Sequence, residues 1–95
     1  MQTIALYDLV GQFGENKDIA QEIRKNTLIP ALERGEDITL DFKGVESVTQ
    51  SFTHALISDL IRTYGQDVLD KISFKNCNDT VQKIIGIVIE YMQES

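Results

Sequence analysis

Three short segments of the chain have the pattern of β-strands. Each is rich in β-branched residues and is followed by residues that favour turns. They are residues 3–10, 38–42 and 72–75 of the 95-residue sequence. The first segment leaves two interpretations open, because it fits either one strand or a hairpin that reaches toward Phe13.

Between the first two strands the apolar residues recur at helical spacing. Asn16 or Asp18 is suited to cap this helix, and Gly35 is suited to end it in a left-handed conformation. Its apolar side consists of Ile19, Ile23, Leu28, Ala31 and Leu32. Pro30 interrupts the pattern, so either the helix kinks or Thr27 caps a second short helix. We favour the break.

Two further helices are predicted. In the second, apolar residues recur every four positions until Gly65 ends the pattern. They are Phe52, Leu56, Leu60 and Tyr64, flanked by Ile57 and Ile61. The third begins at a cap, Asn78 or Asp79, and is apolar over a wide arc. That arc contains Val81, Ile84, Ile85, Val88, Ile89 and Met92, with Ile87 outside the main stripe.

Alternation of strands and helices predicts an α/β fold for a single domain covering residues 1–95. We expect a small, mostly parallel sheet of three to four strands, packed with three to four helices. Such a sheet has exposed edges and a thin core. The wide apolar arc of the last helix is therefore a candidate homodimer interface, although burial of both its sides within one chain would also explain it.

Composition narrows the classes of function. The net charge of −6 argues against binding to nucleic acid or to an anionic membrane surface. One cysteine, Cys77, and one histidine, His54, cannot form a closed zinc site within one chain. The sequence shows neither a signal-peptide pattern nor a long apolar run. We expect a cytoplasmic protein without a metal or cofactor.

The loops that follow parallel strands are the usual places for ligands and partners. Here they are residues 43–51 and 76–79. The first loop contains Ser47, Thr49 and Ser51 and leads directly into the second helix. Thr49 or Ser51 is expected to cap that helix, because Ser and Thr are preferred N-caps. A functional interpretation is that one of these hydroxyls is modified or contacted by a partner.

Residues 38–52, ITLDFKGVESVTQSF, resemble the central signature of STAS domains. In that signature, a strand ending in Leu-Asp-Phe and a Val-containing loop lead to a helix starting Asp-Ser-Ser-Gly. In the anti-sigma factor antagonists, the second serine is phosphorylated by a partner that is both anti-sigma factor and serine kinase. Ser51 falls at this position, which makes it the candidate phosphorylation site. Thr49, Gln50 and Phe52 replace the neighbouring Asp, Ser and Gly, and these departures favour partner binding over modification.

The chain is also similar to a STAS-like family of unknown function. The similarity lies in Asp-Phe, a Gly-Val turn, a hydroxyl-rich stretch and Ser-Phe, and it extends to Gly35-Glu36 and Asn76-Cys77-Asn78. Family members occur alone or beside histidine-kinase-like ATPase domains, which implies a signalling partner of that type.

The resemblance leads us to expect a non-catalytic regulatory module of bacterial signalling. Its partner would be a histidine-kinase-like ATPase or a serine kinase of the anti-sigma type, bound through residues 44–51 and the second helix. The predicted contact residues are Gly44, Glu46, Ser47, Thr49, Gln50, Ser51 and His54.

Two other classes of function have some basis in the sequence. Ser51 and His54 are three residues apart on a predicted helix and could form the centre of a small enzyme if a carboxylate oriented the histidine. The segment Gly11-Gln12-Phe13-Gly14 is similar to the glycine loop of a KH-like RNA-binding module, but its central residues are not basic. We expect neither activity.

Overall fold

The computed structural model describes residues 2–94. In chain order the elements are β1 (Gln2–Ala5), α1 (Tyr7–Val10), β2 (Phe13–Gly14), α2 (Lys17–Ile23), a π-helical turn (Arg24–Leu28), α3 (Ile29–Glu33), β3 (Ile38–Asp41), β4 (Ser47–Val48), α4 (Gln50–Tyr64), a 3₁₀-helical segment (Gln66–Asp70), β5 (Ile72–Lys75) and α5 (Asp79–Glu94). Among these residues, no helix combines the length and apolar composition needed to cross a membrane. The predicted α/β fold is confirmed.

β3 is the central strand of a three-stranded parallel sheet, between β1 and β5. The strands predicted at residues 38–42 and 72–75 are therefore confirmed, the first ending one residue earlier than expected. β2 and β4 form a separate two-stranded parallel ladder rather than a fourth strand of the main sheet. That ladder connects the segment before α2 to the loop before α4.

The main sheet buries one of its faces more than the other. One row across the three strands faces the apolar core and consists of Ile4, Leu40 and Phe74. Ile4 and Leu40 are buried in that core, and the partly buried Phe74 packs against it. On the opposite face, Thr39 stands between Thr3 and Ser73, both of which are exposed. Side chains alternate between faces along a strand, so the period of two explains this division.

The prediction for residues 3–10 is only half right. β1 ends at Ala5, and Tyr7–Val10 forms the single helical turn α1, which Gly11 ends with a φ of 71°. Leu6 is buried and Val10 is partly buried, a spacing of four that suits a helix as well as a strand. The hairpin is absent from the described residues, because Phe13 pairs in parallel with Ser47.

The predicted break at Pro30 is wrong, and Thr27 caps no helix. The backbone stays helical from α2 through the π-helical turn into α3, where Pro30 occupies the first turn. The buried residues Ile23 and Leu28 are five positions apart, too many to share one face of a regular α-helix. The π turn adds one residue and keeps both in the core. The expected cap Asn16 and terminator Gly35 are confirmed.

α4 lies at the centre of the helical layer, in contact with both α2 and α5. Three of the four residues of its predicted stripe are buried, since Phe52, Leu56 and Leu60 are each at most 1 % exposed. The fourth, Tyr64, is exposed because it is the last residue before Gly65 ends the helix. Gly14 passes so close that a Cβ there would lie 3.0 Å from Val48 and 3.2 Å from the Phe52 ring. Phe52 is thus a core residue, as the sequence indicated.

Replacing Phe52 with alanine should lower the free energy of unfolding by about 3–5 kcal/mol, because the ring is fully buried and its loss leaves a cavity. Phe13→Ala provides the matched control, since Phe13 is 55 % exposed and its removal should change stability by about 0.5 kcal/mol or less. Urea unfolding of both variants measures the difference. Similar losses in the two would contradict the assignment of Phe52 to the core.

Candidate functional site

The loop between β3 and α4 is fixed at its start by Asp41. Asp41 Oδ1 accepts hydrogen bonds from the Asn76 side chain at 2.9 Å and from the Lys43 backbone N–H at 3.0 Å. These bonds hold the pKa of the Asp41 carboxyl below its ordinary value, the Asn76 bond contributing most. Asn76 itself adopts a left-handed φ of 58°, which asparagine tolerates well. Asp41 therefore connects the two loops that follow β3 and β5.

Gly44 is a turn residue that lies directly against an aromatic ring. Its φ is +88°, and a Cβ there would come within 2.8 Å of the Tyr7 side chain. Both the backbone conformation and the close contact require glycine. Gly44, which was predicted to contact a partner, thus has a structural role in the turn, and this role is enough to explain why the residue is glycine.

Backbone hydrogen bonds fix the second half of the loop. The N–H groups of Glu46 and Ser47 both donate to the Gln12 carbonyl, and Thr49 N–H donates to the Gly14 carbonyl at 2.9 Å. The Asn78 side chain donates to the Glu46 carbonyl at 2.8 Å. These bonds give the loop a rigid backbone, while the Glu46 side chain is exposed.

Thr49 caps α4, and Ser51 does not. Thr49 Oγ1 accepts a hydrogen bond from Phe52 N–H at 3.0 Å, and the Thr49 carbonyl accepts one from the Thr53 hydroxyl. Ser51 is the second residue of the helix and is exposed. Of the two expected caps, Thr49 performs the structural task and leaves the Ser51 hydroxyl available.

Ser51 borders a groove of about 550 Å³ between α2, α4 and α5, which we call the three-helix groove. It is lined by Lys17, Gln21, Arg24, Gln50, Ser51, His54, Ala55, Ser58, Asp59, Arg62, Ile87, Val88 and Tyr91. The structure thus brings Gln50, Ser51 and His54 to one surface. The other predicted contact residues, Gly44, Glu46, Ser47 and Thr49, belong to the adjoining loop and do not line it.

Basic side chains that sequence reasoning missed line the groove. Arg24, only 8 % exposed, donates to the Ala55 carbonyl at 2.6 Å and pairs with Asp59 at 3.0 Å. Arg62 also pairs with Asp59, at 3.3 Å. Spacing along α2 could have grouped Lys17 with Arg24, because residues seven apart share a helix face. The contact of Arg24 with α4 needs the folded chain.

His54 is half-buried and lies within the groove. Its Nδ1 is 3.2 Å from the Ser58 hydroxyl, and its ring meets the Tyr91 ring edge-on with centroids 6.4 Å apart. The hydrogen bonds of the described residues do not connect His54 with Ser51, and the neighbouring carboxylate, Asp59, pairs with two arginines. The alternative of a Ser51/His54 enzyme therefore lacks the arrangement it requires.

Other chemistry also finds little support in the structure. Gly14 belongs to a packed strand, so the glycines near it do not form the open loop of an RNA-binding module. The side chains described, those of residues 2–92, include no group of three or more His, Cys, Asp or Glu placed to hold a metal ion. Partial burial and the charge of Asp41 raise the pKa of the Cys77 thiol, which makes it a poor nucleophile.

The fold and loop define a class of protein: a parallel α/β domain whose central strand leads, through a hydroxyl-bearing loop, into a buried helix. A family model described as the STAS-like domain of unknown function (DUF4325) matches residues 20–82. The chain belongs to this family, as the sequence resemblance indicated. Searches of curated proteins and of solved structures gave no match.

Thr49→Ala should lower the free energy of unfolding by about 0.5–2 kcal/mol, because it removes the side-chain cap of α4. Ser51→Ala, two positions later, should change it by about 0.5 kcal/mol or less. Thermal or urea unfolding compares the two. Equal losses, or a larger loss at Ser51, would show that the capping assignment is wrong.

Asn76→Gly should raise the pKa of Asp41 toward its ordinary value of 3.8, because the variant lacks the main hydrogen bond that lowers it. A lowered carboxyl pKa stabilises the fold above the unfolded-state pKa, and this stabilisation is lost as the pH falls through the folded-state pKa. The part of the difference in free energy of unfolding between wild type and Asn76→Gly that comes from ionisation of Asp41 should therefore become smaller as the pH falls. Carboxyl NMR titration measures the pKa directly.

The control for this titration is Glu36. Its pKa is lowered by a hydrogen bond from Arg34 and should be the same in wild type and variant. An unchanged Asp41 pKa in Asn76→Gly would contradict the assignment of Asn76 as the main cause.

Proposed function

We propose that this domain is a non-catalytic regulatory module that binds a protein partner through the loop of residues 44–51 and the outer side of α4. The observation that carries the proposal is the placement of Ser51. Its hydroxyl is exposed at the start of a buried helix, beside the three-helix groove, while Thr49 supplies the cap. A rigid loop costs little ordering entropy on binding, which favours recognition at such a site.

The class of partner comes from the family resemblance. We propose a histidine-kinase-like ATPase or a serine kinase of the anti-sigma type, acting with this module in bacterial cytoplasmic signalling. The contact surface would comprise Glu46, Ser47, Gln50, Ser51 and His54, with Gly44 and Thr49 maintaining the loop.

Ser51 offers a way to regulate such binding. A phosphate there would add about 1.5–2 negative charges at a helix N-terminus, where the helix dipole favours them. The first turn of α4 contains no acidic residue, so the added charge would meet no like charge within that turn. An acidic partner surface would be repelled. The modification would thus preserve the fold and weaken the complex.

Self-association through α5 stays a prediction. Most of the apolar arc is buried in the domain's own core, including Val81, Ile85 and Val88. Two large side chains remain outside it: Ile87 is 46 % exposed and Tyr91 is 63 % exposed. Light scattering at micromolar concentration distinguishes a dimer from a monomer.

The test is a quantitative pull-down from the native host with wild-type, Ser51→Ala and Ser51→Asp protein, followed by mass spectrometry. We expect wild type and Ser51→Ala to recover an ATPase or kinase of the stated class and Ser51→Asp to recover much less of it. Ser51→Asp should also raise the free energy of unfolding by about 0.3–1 kcal/mol through the helix dipole.

Ser73→Asp is the matched control, because Ser73 is exposed, stands on the face of the sheet opposite Leu40 and Phe74, and does not line the groove. Equal recovery by all four proteins would contradict regulation at Ser51. Failure of wild type to recover any ATPase or kinase would contradict the proposed class of partner.

A further inference from the structure

We propose that the three-helix groove binds an acidic segment of the protein partner, with an apolar side chain of that segment packed against Ile87 and Tyr91. This inference rests on the proposed function and specifies the chemistry of the partner. What suggests it is a basic groove with exposed apolar residues in an acidic protein.

The charge of the groove is opposite to that of the chain. Lys17, Arg24 and Arg62 against the single carboxylate Asp59 give the groove a formal charge of +2. The whole chain carries −6, so the remaining residues carry −8. An acidic segment is therefore attracted at this surface and repelled from the rest of the molecule, which orients it during association.

Lys17 and Arg62 are the basic groups placed to meet a ligand. Arg24 is buried and occupied by Asp59 and the Ala55 carbonyl. Lys17 is exposed and takes part in none of the ion pairs of the described residues. The Arg62 side chain is 60 % exposed, and its pair with Asp59 is of the solvent-exposed kind that contributes little. Arg62 can thus exchange or share that partner.

The apolar side of the groove belongs to α5. Ile87 and Tyr91 are four positions apart and both stand exposed in the groove, opposite Ala55 of α4. Exposed aromatic and aliphatic residues in the same groove as basic groups suit an amphipathic segment, whose apolar residue displaces water while its carboxylates meet the basic side chains. A ligand consisting only of phosphate groups would leave Ile87 and Tyr91 unused.

Charge also argues against a second copy of this chain as the occupant. In a two-fold symmetric dimer the same patch meets itself, so two grooves of charge +2 would face each other. The surface that complements the groove therefore belongs to a different, acidic protein segment. Ser51 lies at the groove, so a negative charge on it would lower the attraction for that segment.

The probe is a phage-displayed library of random 16-residue peptides selected on immobilised wild-type protein. The best peptide is then synthesised with a fluorescent label, and its affinity is measured by anisotropy. We expect enriched peptides to have an excess of Asp and Glu around one or two large apolar residues. Their affinity should fall as salt rises, because surface charges are screened.

Two variants and two controls locate the binding. Arg62→Glu and Tyr91→Ser should each lower the affinity for the peptide by about tenfold or more, the loss expected for central contact residues. Lys83→Glu makes a charge reversal and Tyr64→Ser the same Tyr-to-Ser change, at exposed positions of α5 and α4 outside the groove, and both should leave affinity within about twofold. Ser51→Asp should also lower the affinity for the peptide, as Arg62→Glu does.

Several results would overturn the proposal. They are the absence of any selected binder, peptides without an acidic excess, or equal affinity for groove and control variants. A dimer in light scattering that Tyr91→Ser disperses would assign the groove to a second copy. Binding of a labelled oligonucleotide that Arg62→Glu abolishes, in place of peptide binding, would assign it to nucleic acid.

This test and that of the proposed function can fail separately. A partner recovered by wild type and lost with Ser51→Asp, but retained by Arg62→Glu and Tyr91→Ser, would support the regulatory module and refute the groove. Acidic peptides that bind the groove, together with pull-downs unaffected by every Ser51 variant, would support the groove and refute regulation at Ser51.

Discussion

The packing of Phe52 against Gly14 and Val48 is the contact on which the rest of the structure depends. It places the first turn of α4 against the short ladder of β2 and β4, so the helix and its preceding loop are located by the same contact. Interiors of proteins are close-packed, and the Phe52 ring lies so near the Gly14 backbone that a Cβ at Gly14 would force its neighbours to shift. The direction of α4, and hence of everything on its outer side, follows from it.

α4 buries one side in the core, and this determines where function can be located. Seven of its fifteen residues are buried, including the polar Thr53 and Ser58, which are hydrogen-bonded. The exposed residues Gln50, Ser51 and Arg62 line the groove, whereas Thr63 and Tyr64 at the end of the helix lie outside it. The domain thus offers a narrow polar surface on a rigid support, the arrangement that positions side chains with most precision.

Much of the fold could be predicted from local pattern. The strands around Leu40 and Phe74 and the four-residue spacing of α4 were evident because burial imposes a period on the sequence. The spacing of Leu6 and Val10 misled, since in so short a segment it fits a strand and a helical turn alike. Pro30 misled as well, because it occupies the first turn of α3 and the helical backbone continues through it.

The candidate site was predicted only in part, because some of its residues are close together in the sequence and others are brought together only by folding. Ser51 and Gln50 could be singled out because a loop and a helix start are features of contiguous sequence. Arg24 and Tyr91 could not, because they reach the groove from helices that are distant along the chain. The groove is basic although the chain as a whole is acidic. This local charge arises only when the chain folds, and the net charge of the sequence does not reveal it.

The π turn that begins at Arg24 also bears on the length of this segment of chain. Lys17 before the turn and Arg24 at its start line the groove, while Leu28 at its end and Leu32 beyond it lie in the core. Deleting one residue between Ile23 and Leu28 would convert the turn to regular α-helix and leave these two residues four positions apart, so both would still face the core. Loss of one residue should therefore be tolerated here, whereas the same deletion in the regular helix α4 would rotate one half of that helix against the other by about 100°.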